Sequence, residues 1–165
     1  MSLVLKNNLH VIYTWWQKWR QRPFGDHLLL LETMGWLGLA RFAVYFFSLK
    51  RITPYLGKPI NFVPTQMPDN WLKEAGRIGW AIRTTARLTP WKSNCLAQGI
   101  AGKLMLRRRS IPSTLYLGMA KRQDAPELLT GHAWLRCGAL VVTDPARHER
   151  FTVIASYSDP DLLQN

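Results

Sequence analysis

Acids and cysteines are scarce in this sequence. Only 10 Asp and Glu stand against 22 Lys and Arg, so the 165 residues carry a formal net charge of +12. An imbalance of that size favours acidic partners, whether nucleic acid, an anionic lipid surface or an acidic peptide, without choosing among them. Ordinary solvated faces account for it equally well. The two cysteines, Cys95 and Cys137, cannot build a disulfide framework. Neither a CxxC nor a paired Cys/His cluster occurs, which excludes a zinc site of the usual spacing. Such cysteine usage suits a reducing cytoplasm. The chain start lacks a compact apolar stretch followed by a small-residue cleavage site, so no secretory signal is expected. The segment 27–49 is rich in Leu, Trp and Phe, but Glu32 and Arg41 interrupt it. Its uncharged runs read as too short to span a bilayer, which makes it a buried or partner-facing helix. Nothing resembles a Gly-rich phosphate cradle, so no nucleotide site is expected, and no metal and no other cofactor.

What is present is globular. Hydrophobic residues make up 47% and charged residues 19%, the composition of a chain able to bury a core. Residues 1–22 alternate Leu9, Ile12, Trp15, Trp16 and Trp19 with Lys6, Lys18, Arg20 and Arg22. This is an amphipathic segment suited to docking or to packing on its own domain. Asp26 is expected to cap a helix running to about Lys50. The prolines of residues 53–68 then mark a connector, so a helix-plus-connector unit is expected over 23–68 and a catalytic unit over 69–165. Asp69 or Asn70 is expected to cap a helix carrying Trp71, Ala75, Ile78 and Ile82, which Pro90 ends. Ser93 or Asn94 is expected to cap another, opening at Cys95 and carrying the stripe Leu96, Ala97, Ile100, Ala101, Leu104 and Met105. Lys103, Arg107, Arg108 and Arg109 fall toward its end, where cations suit the helix dipole. After Pro112 the pattern changes to strands, over 113–119, 132–136, 139–143 and 151–155. Helices first and antiparallel strands after is an α+β layout.

A thiolate nucleophile needs stabilised charge, a base, and a group that orients the base. Cys95 falls at the expected first turn of a helix. There, unpaired backbone N–H groups and the positive end of the dipole can hold negative charge, on sulfur or on a developing oxyanion. The bland alternative is a small buried hydrophobe. Gly99 and Gly102, on the following turns, would let that helix approach the sheet closely. His132 and Asp144 lie twelve residues apart across an expected hairpin. If the turn is a three-residue loop centred on Gly138, His132 faces Asp144, with Cβ atoms about 4.5–5.5 Å apart. A two-residue turn would shift the register by one and weaken that pairing. His132, Trp134 and Arg136 share a face in either case. The plain alternative is a solvated histidine and a turn-forming aspartate before Pro145. His10, His27 and His148 are weaker candidates, and Cys137, at the turn, has no helix dipole beside it.

The stretch from Trp91 to Asp144 contains W-K-S-N-C-L-A-Q-G, then L-Y-L-G-M, then G-H-A-W-L-R-C-G-A-L-V-V-T-D. It resembles the lasso-peptide leader peptidases, the B proteins of microcin-type lasso-peptide biosynthesis, which have a transglutaminase-like and hence papain-like cysteine protease domain. The piece L-L-L-L-E-T-M-G-W-L-G-L-A-R resembles that family's leading helix, and the likeness covers roughly residues 24–155. It implies Cys95 as nucleophile, His132 as general base and Asp144 as the group orienting it. It implies hydrolysis of one bond in a ribosomally made precursor, freeing an amine that a separate lasso cyclase joins to an Asp or Glu side chain. Fused members of the family, reported to need ATP, carry an N-terminal recognition domain. This chain instead resembles the standalone peptidase of split systems, which implies a separate leader-recognition protein as partner. Two other readings stay open. One is a transglutaminase-like acyl transferase using the same triad. The other is a basic protein binding nucleic acid or touching a membrane surface peripherally. Nucleic acid is not the expected partner of the peptidase.

Overall fold

The computed structural model describes residues 23–60, 66–89, 94–125, 127–146 and 148–163. Helix α1 spans Phe24–Phe46, the short α2 spans Leu49–Ile52 and continues as a 3-10 turn over Thr53–Leu56, α3 spans Asp69–Leu88 and α4 spans Cys95–Arg108. Strands β1 (Thr114–Lys121), β2 (Leu129–Cys137), β3 (Leu140–Val141) and β4 (Thr152–Ser158) follow. They form one antiparallel sheet in the order β3-β2-β1-β4. The architecture is the expected α+β one, helices before sheet. The amphipathic segment 1–22, with His10, lies outside the described residues, as do Pro90 and Ser93.

Helix α4 is the centre. Residues on nearly every side of it are buried, because α1 and α3 cover one flank and the sheet the other. The glycines make the close approach to the sheet. A Cβ on Gly99 would stand 2.6 Å from Leu115 Cδ1, and one on Gly102 2.8 Å from Leu135 Cδ2. The core so formed takes Leu30, Leu37 and Ala40 from α1, Ala75, Ile78 and Ile82 from α3, and Leu115 and Leu135 from the sheet. It therefore draws on both sides of the expected division at residue 68.

Three expected helix ends differ from the observed ones. Pro23, not Asp26, occupies the N-cap of α1, and Pro68 does the same for α3. Proline serves there because the first turn leaves its N–H groups unpaired anyway. Asp26 is free to pair with Arg77 at 3.1 Å, which ties α1 to α3. Helix α1 also stops at Phe46, since Phe47 and Ser48 are extended, and the chain resumes at Leu49 as α2.

The basic run of α4 has a different explanation from the dipole. Lys103 is fully buried, and its ammonium donates to Asp159 Oδ2 at 2.5 Å and to the Ser113 carbonyl at 2.6 Å. Burial pushes its pKa down, and Asp159 pulls it back up. Arg109, just past the helix, forks onto Glu32 of α1 at 2.7 and 3.1 Å and reaches Glu74 of α3 at 3.1 Å. This bidentate pairing holds the Glu32 carboxyl below its usual range. Arg107 and Arg108 stay exposed in the last turn, where the dipole argument applies, although Arg107 also donates to the Tyr55 carbonyl at 3.0 Å and Arg108 lies 3.8 Å from Glu32.

Candidate active site

Asn94 is the N-cap of α4, and its Oδ1 accepts from the Ala97 N–H at 2.9 Å. A cap of this kind contributes about 1 kcal/mol and fixes where the helix begins. It makes Cys95 the first helical residue. The Gln98 N–H goes to the Asn94 carbonyl at 3.1 Å. Cys95 is half-buried and lines an open cleft of about 660 Å³, together with Gln98, His132, Thr143, Asp144 and, from α3, Arg83 and Arg87.

His132 Nε2 stands 3.4 Å from Asp144 Oδ2. The route to that approach is not the expected hairpin. Cys137 pairs with Leu140 and Arg136 with Val141, so the turn has two residues, with Gly138 at φ +55 where a II′ turn takes glycine. In that register a continued strand would set Asp144 opposite Ala133, one residue short of His132. Instead β3 ends at Val141. The Val142 N–H still bonds the Leu135 carbonyl at 2.8 Å, but the Leu135 N–H is taken by Thr143 Oγ1 at 3.0 Å. The ladder breaks there, and Asp144 turns at φ +45, a left-handed conformation that Asp and Asn tolerate best among non-glycine residues. From there its carboxylate reaches back to the imidazole.

Two residues that the sequence reading did not single out hold this broken segment. Arg83 Nη1 donates to the Val142 carbonyl at 2.8 Å. Gly79 lets α3 lie against the same carbonyl, since a Cβ there would stand only 2.4 Å from it. A glycine inside a strong helical pattern was the available signal.

The imidazole is also gripped by rings. His132 stacks on Trp134 with centroids 5.9 Å apart and planes at 18°, and lies 4.7 Å from the Phe151 ring. Trp134 in turn stacks on Tyr116 at 5.5 Å. This explains the glycine of L-Y-L-G. Gly118 pairs with His132 in register, and a Cβ on it would meet Trp134 Cζ3 at 2.8 Å and Phe151 Cβ at 2.9 Å. Phe151 could not be found from spacing, since it lies beyond a loop. His132 and Trp134 thus share a face, as alternation requires, while Leu135 and Leu115 face the helices. The cleft opens over the edge of β2 left uncovered by the short β3, so Ala133 and His132, from the two faces, both line it.

The weaker candidates sit elsewhere. His148 Nδ1 is 2.9 Å from the Pro145 carbonyl and its ring 6.0 Å from Trp134, behind the site. His27 is on α1, which contributes nothing to the cleft lining. Cys137 ends β2, has no exposed surface, and burial pushes its thiol up to about 11. Alkylation of the native protein by iodoacetamide at neutral pH is therefore expected on Cys95 alone, with Cys137 modified only after unfolding. Peptide mapping reads this, and equal labelling of both would contradict it. Among the described residues no group of His, Cys, Asp and Glu could hold a metal ion.

A family model described as transglutaminase-like superfamily matches residues 46–156, more than half of the chain and all of the cleft. No curated protein and no solved structure matches.

Proposed function

Because the chain belongs to the transglutaminase-like superfamily, a group of cysteine-protease-like and acyl-transferring enzymes, we propose that it is a cysteine endopeptidase that removes the leader from a lasso-peptide precursor. The observation that carries this reading is a cysteine at the first position of a capped helix, sharing one cleft with a histidine whose Nε2 faces a carboxylate. The finer assignment, leader removal, rests on the W-K-S-N-C-L, L-Y-L-G and G-H-A-W sequences and their order.

In this reading Asp144 orients the ring through Nε2 and stabilises its charged form, which leaves Nδ1 to exchange a proton with Cys95. The Cys95 sulfur attacks the scissile carbonyl, and the carbonyl oxygen gathers negative charge. Asn94 already occupies the N–H groups of Ala97 and Gln98, so those of Cys95 and Leu96 are the ones left at the helix start to receive that charge. The C–N bond breaks, the amine of the core peptide leaves with the proton from His132, and the leader remains as a thioester on Cys95. Water, deprotonated by His132, then cleaves the thioester and restores the thiol. At 3.4 Å the His132–Asp144 contact is longer than a full hydrogen bond, as such contacts often are before substrate tightens them.

A leader-recognition protein would deliver the precursor, and a lasso cyclase would consume the freed amine, so a cytoplasmic site of action fits. Acyl transfer uses the same thioester, with an amine replacing water. Incubation with a precursor peptide and a primary amine separates the two by mass. A leader ending in a free carboxylate is expected, and an amide adduct as the main product would favour the transferase.

A further inference from the structure

The outward face of α1 has no role in the cleft or the core. Leu29, Leu30, Thr33, Leu37 and Ala40 are buried on one side. On the other, Phe24, Leu28, Leu31, Phe42, Tyr45 and Phe46 are all more than half exposed. Their spacing follows the helical repeat along the whole helix, with exposed Gly35 in the interval. At the C-terminal end the rings form a cluster, Phe42 to Phe46 at 4.4 Å and Tyr45 to Phe46 at 5.0 Å. A stripe of this extent is well beyond scattered surface hydrophobes.

The distribution of charge along α1 is what gives the stripe a direction. The helix has two acids, Asp26 and Glu32, and both are committed to cations of the core side, Arg77 and Arg109. No carboxylate is left for the outward face. The cations near it gather at one end, with Arg41 beside the ring cluster and exposed Lys50 and Arg51 on α2. An apolar groove of about 760 Å³ between α1 and α2, lined by Leu39, Phe47, Arg51 and Tyr55 among others, opens at the same end.

We propose that this face is a docking surface for an anionic lipid bilayer, on which α1 lies in the plane of the interface. Apolar side chains enter the acyl boundary and the flanking cations meet the headgroups. Despite the charges that interrupt it, and contrary to the expectation from its uncharged runs, helix α1 is by length and composition long and apolar enough to cross a membrane, with a mean hydropathy of 1.3 over 18 residues. It cannot do so while its other face holds α3 and α4, and in-plane contact satisfies both faces at once. A second copy of the chain is the less suitable cover, because it would bring the rim cations together and add another +12 of like charge.

The test uses the full-length protein with vesicles of phosphatidylcholine alone and of phosphatidylcholine with phosphatidylglycerol, read by co-sedimentation. Binding is expected to the anionic vesicles and to weaken with salt. Leu31→Glu combined with Phe42→Glu should abolish it while leaving the circular dichroism spectrum unchanged. Arg41→Gln, Lys50→Gln and Arg51→Gln together should weaken it about a hundredfold at low ionic strength. Residues 1–22 are present in every variant, so these differences report on α1 and α2. Cys95→Ala should bind as the unsubstituted protein does, which keeps the result separate from the peptidase reading. The proposal is overturned by absence of binding to anionic vesicles, by binding that survives the Leu31 and Phe42 changes, or by a dimer in solution that those changes dissolve.

Discussion

Under the proposed leader-peptidase function, Cys95→Ala is expected to lower precursor hydrolysis by about four to six orders of magnitude, with the fold intact. The size follows from the role. Without the thiol no thioester forms, and what remains is the contribution of binding and of the helix-start N–H groups. The fold persists because Cys95 is the first residue of α4, half-exposed, and alanine is an excellent helix former. His132→Gln should cost a comparable amount, and it keeps more of the volume packed between Trp134 and Phe151 than alanine would. Asp144→Asn should cost one to two orders less, because asparagine tolerates the φ +45 backbone and loses only the charge. Activity together with thermal unfolding separates a chemical loss from a structural one. A Cys95→Ala protein with more than a tenth of the original activity would remove Cys95 from the mechanism.

Lys103→Met destabilises the protein by about 3–5 kcal/mol, which for a chain of this size lowers Tm by roughly 10 °C. The ammonium is enclosed, and removing it leaves the Asp159 carboxylate, itself 6% exposed, buried without its partner. Asp159→Asn should cost a similar amount by stranding the cation. The pair joins α4, the helix that opens at Cys95, to the end of β4. There Ser158 also exchanges backbone hydrogen bonds with Lys58 at 2.8 and 2.9 Å and its hydroxyl lies 3.0 Å from that of Thr114. Removing both charges, with Lys103→Met and Asp159→Leu together, should cost much less than the two single changes added, since no unpaired charge remains. Additive losses in urea unfolding would mean that the two side chains act separately.

The fold class was legible because its signals are local. Helical spacing at Ala75, Ile78 and Ile82 and the change of period after Pro112 are both read within a single element. The start of α4 at Cys95 was legible for the same reason, since a cap and its helix are adjacent in sequence. Lys103 was read only as one of the cations that suit the helix dipole, because its partner lies 56 residues further on. The His132 and Asp144 approach was expected from hairpin arithmetic with the wrong turn. The side chains still meet because the strand breaks at Thr143, and what holds the break, Arg83 and Gly79, is on a helix more than fifty residues earlier. The glycine of L-Y-L-G was quoted as a motif, but its cause, the Trp134 ring and the Cβ of Phe151, is a contact between two strands and a loop that no single stretch of sequence contains.

The most direct measurement is intact-mass analysis of the protein after acid quench during turnover of a precursor peptide, followed by peptide mapping. The account predicts a transient species heavier by the leader acyl group, attached to Cys95 and absent from the Cys95→Ala variant, that decays into free leader. Cleavage at an undiminished rate by Cys95→Ala, or an acyl group carried on any other residue, would contradict it.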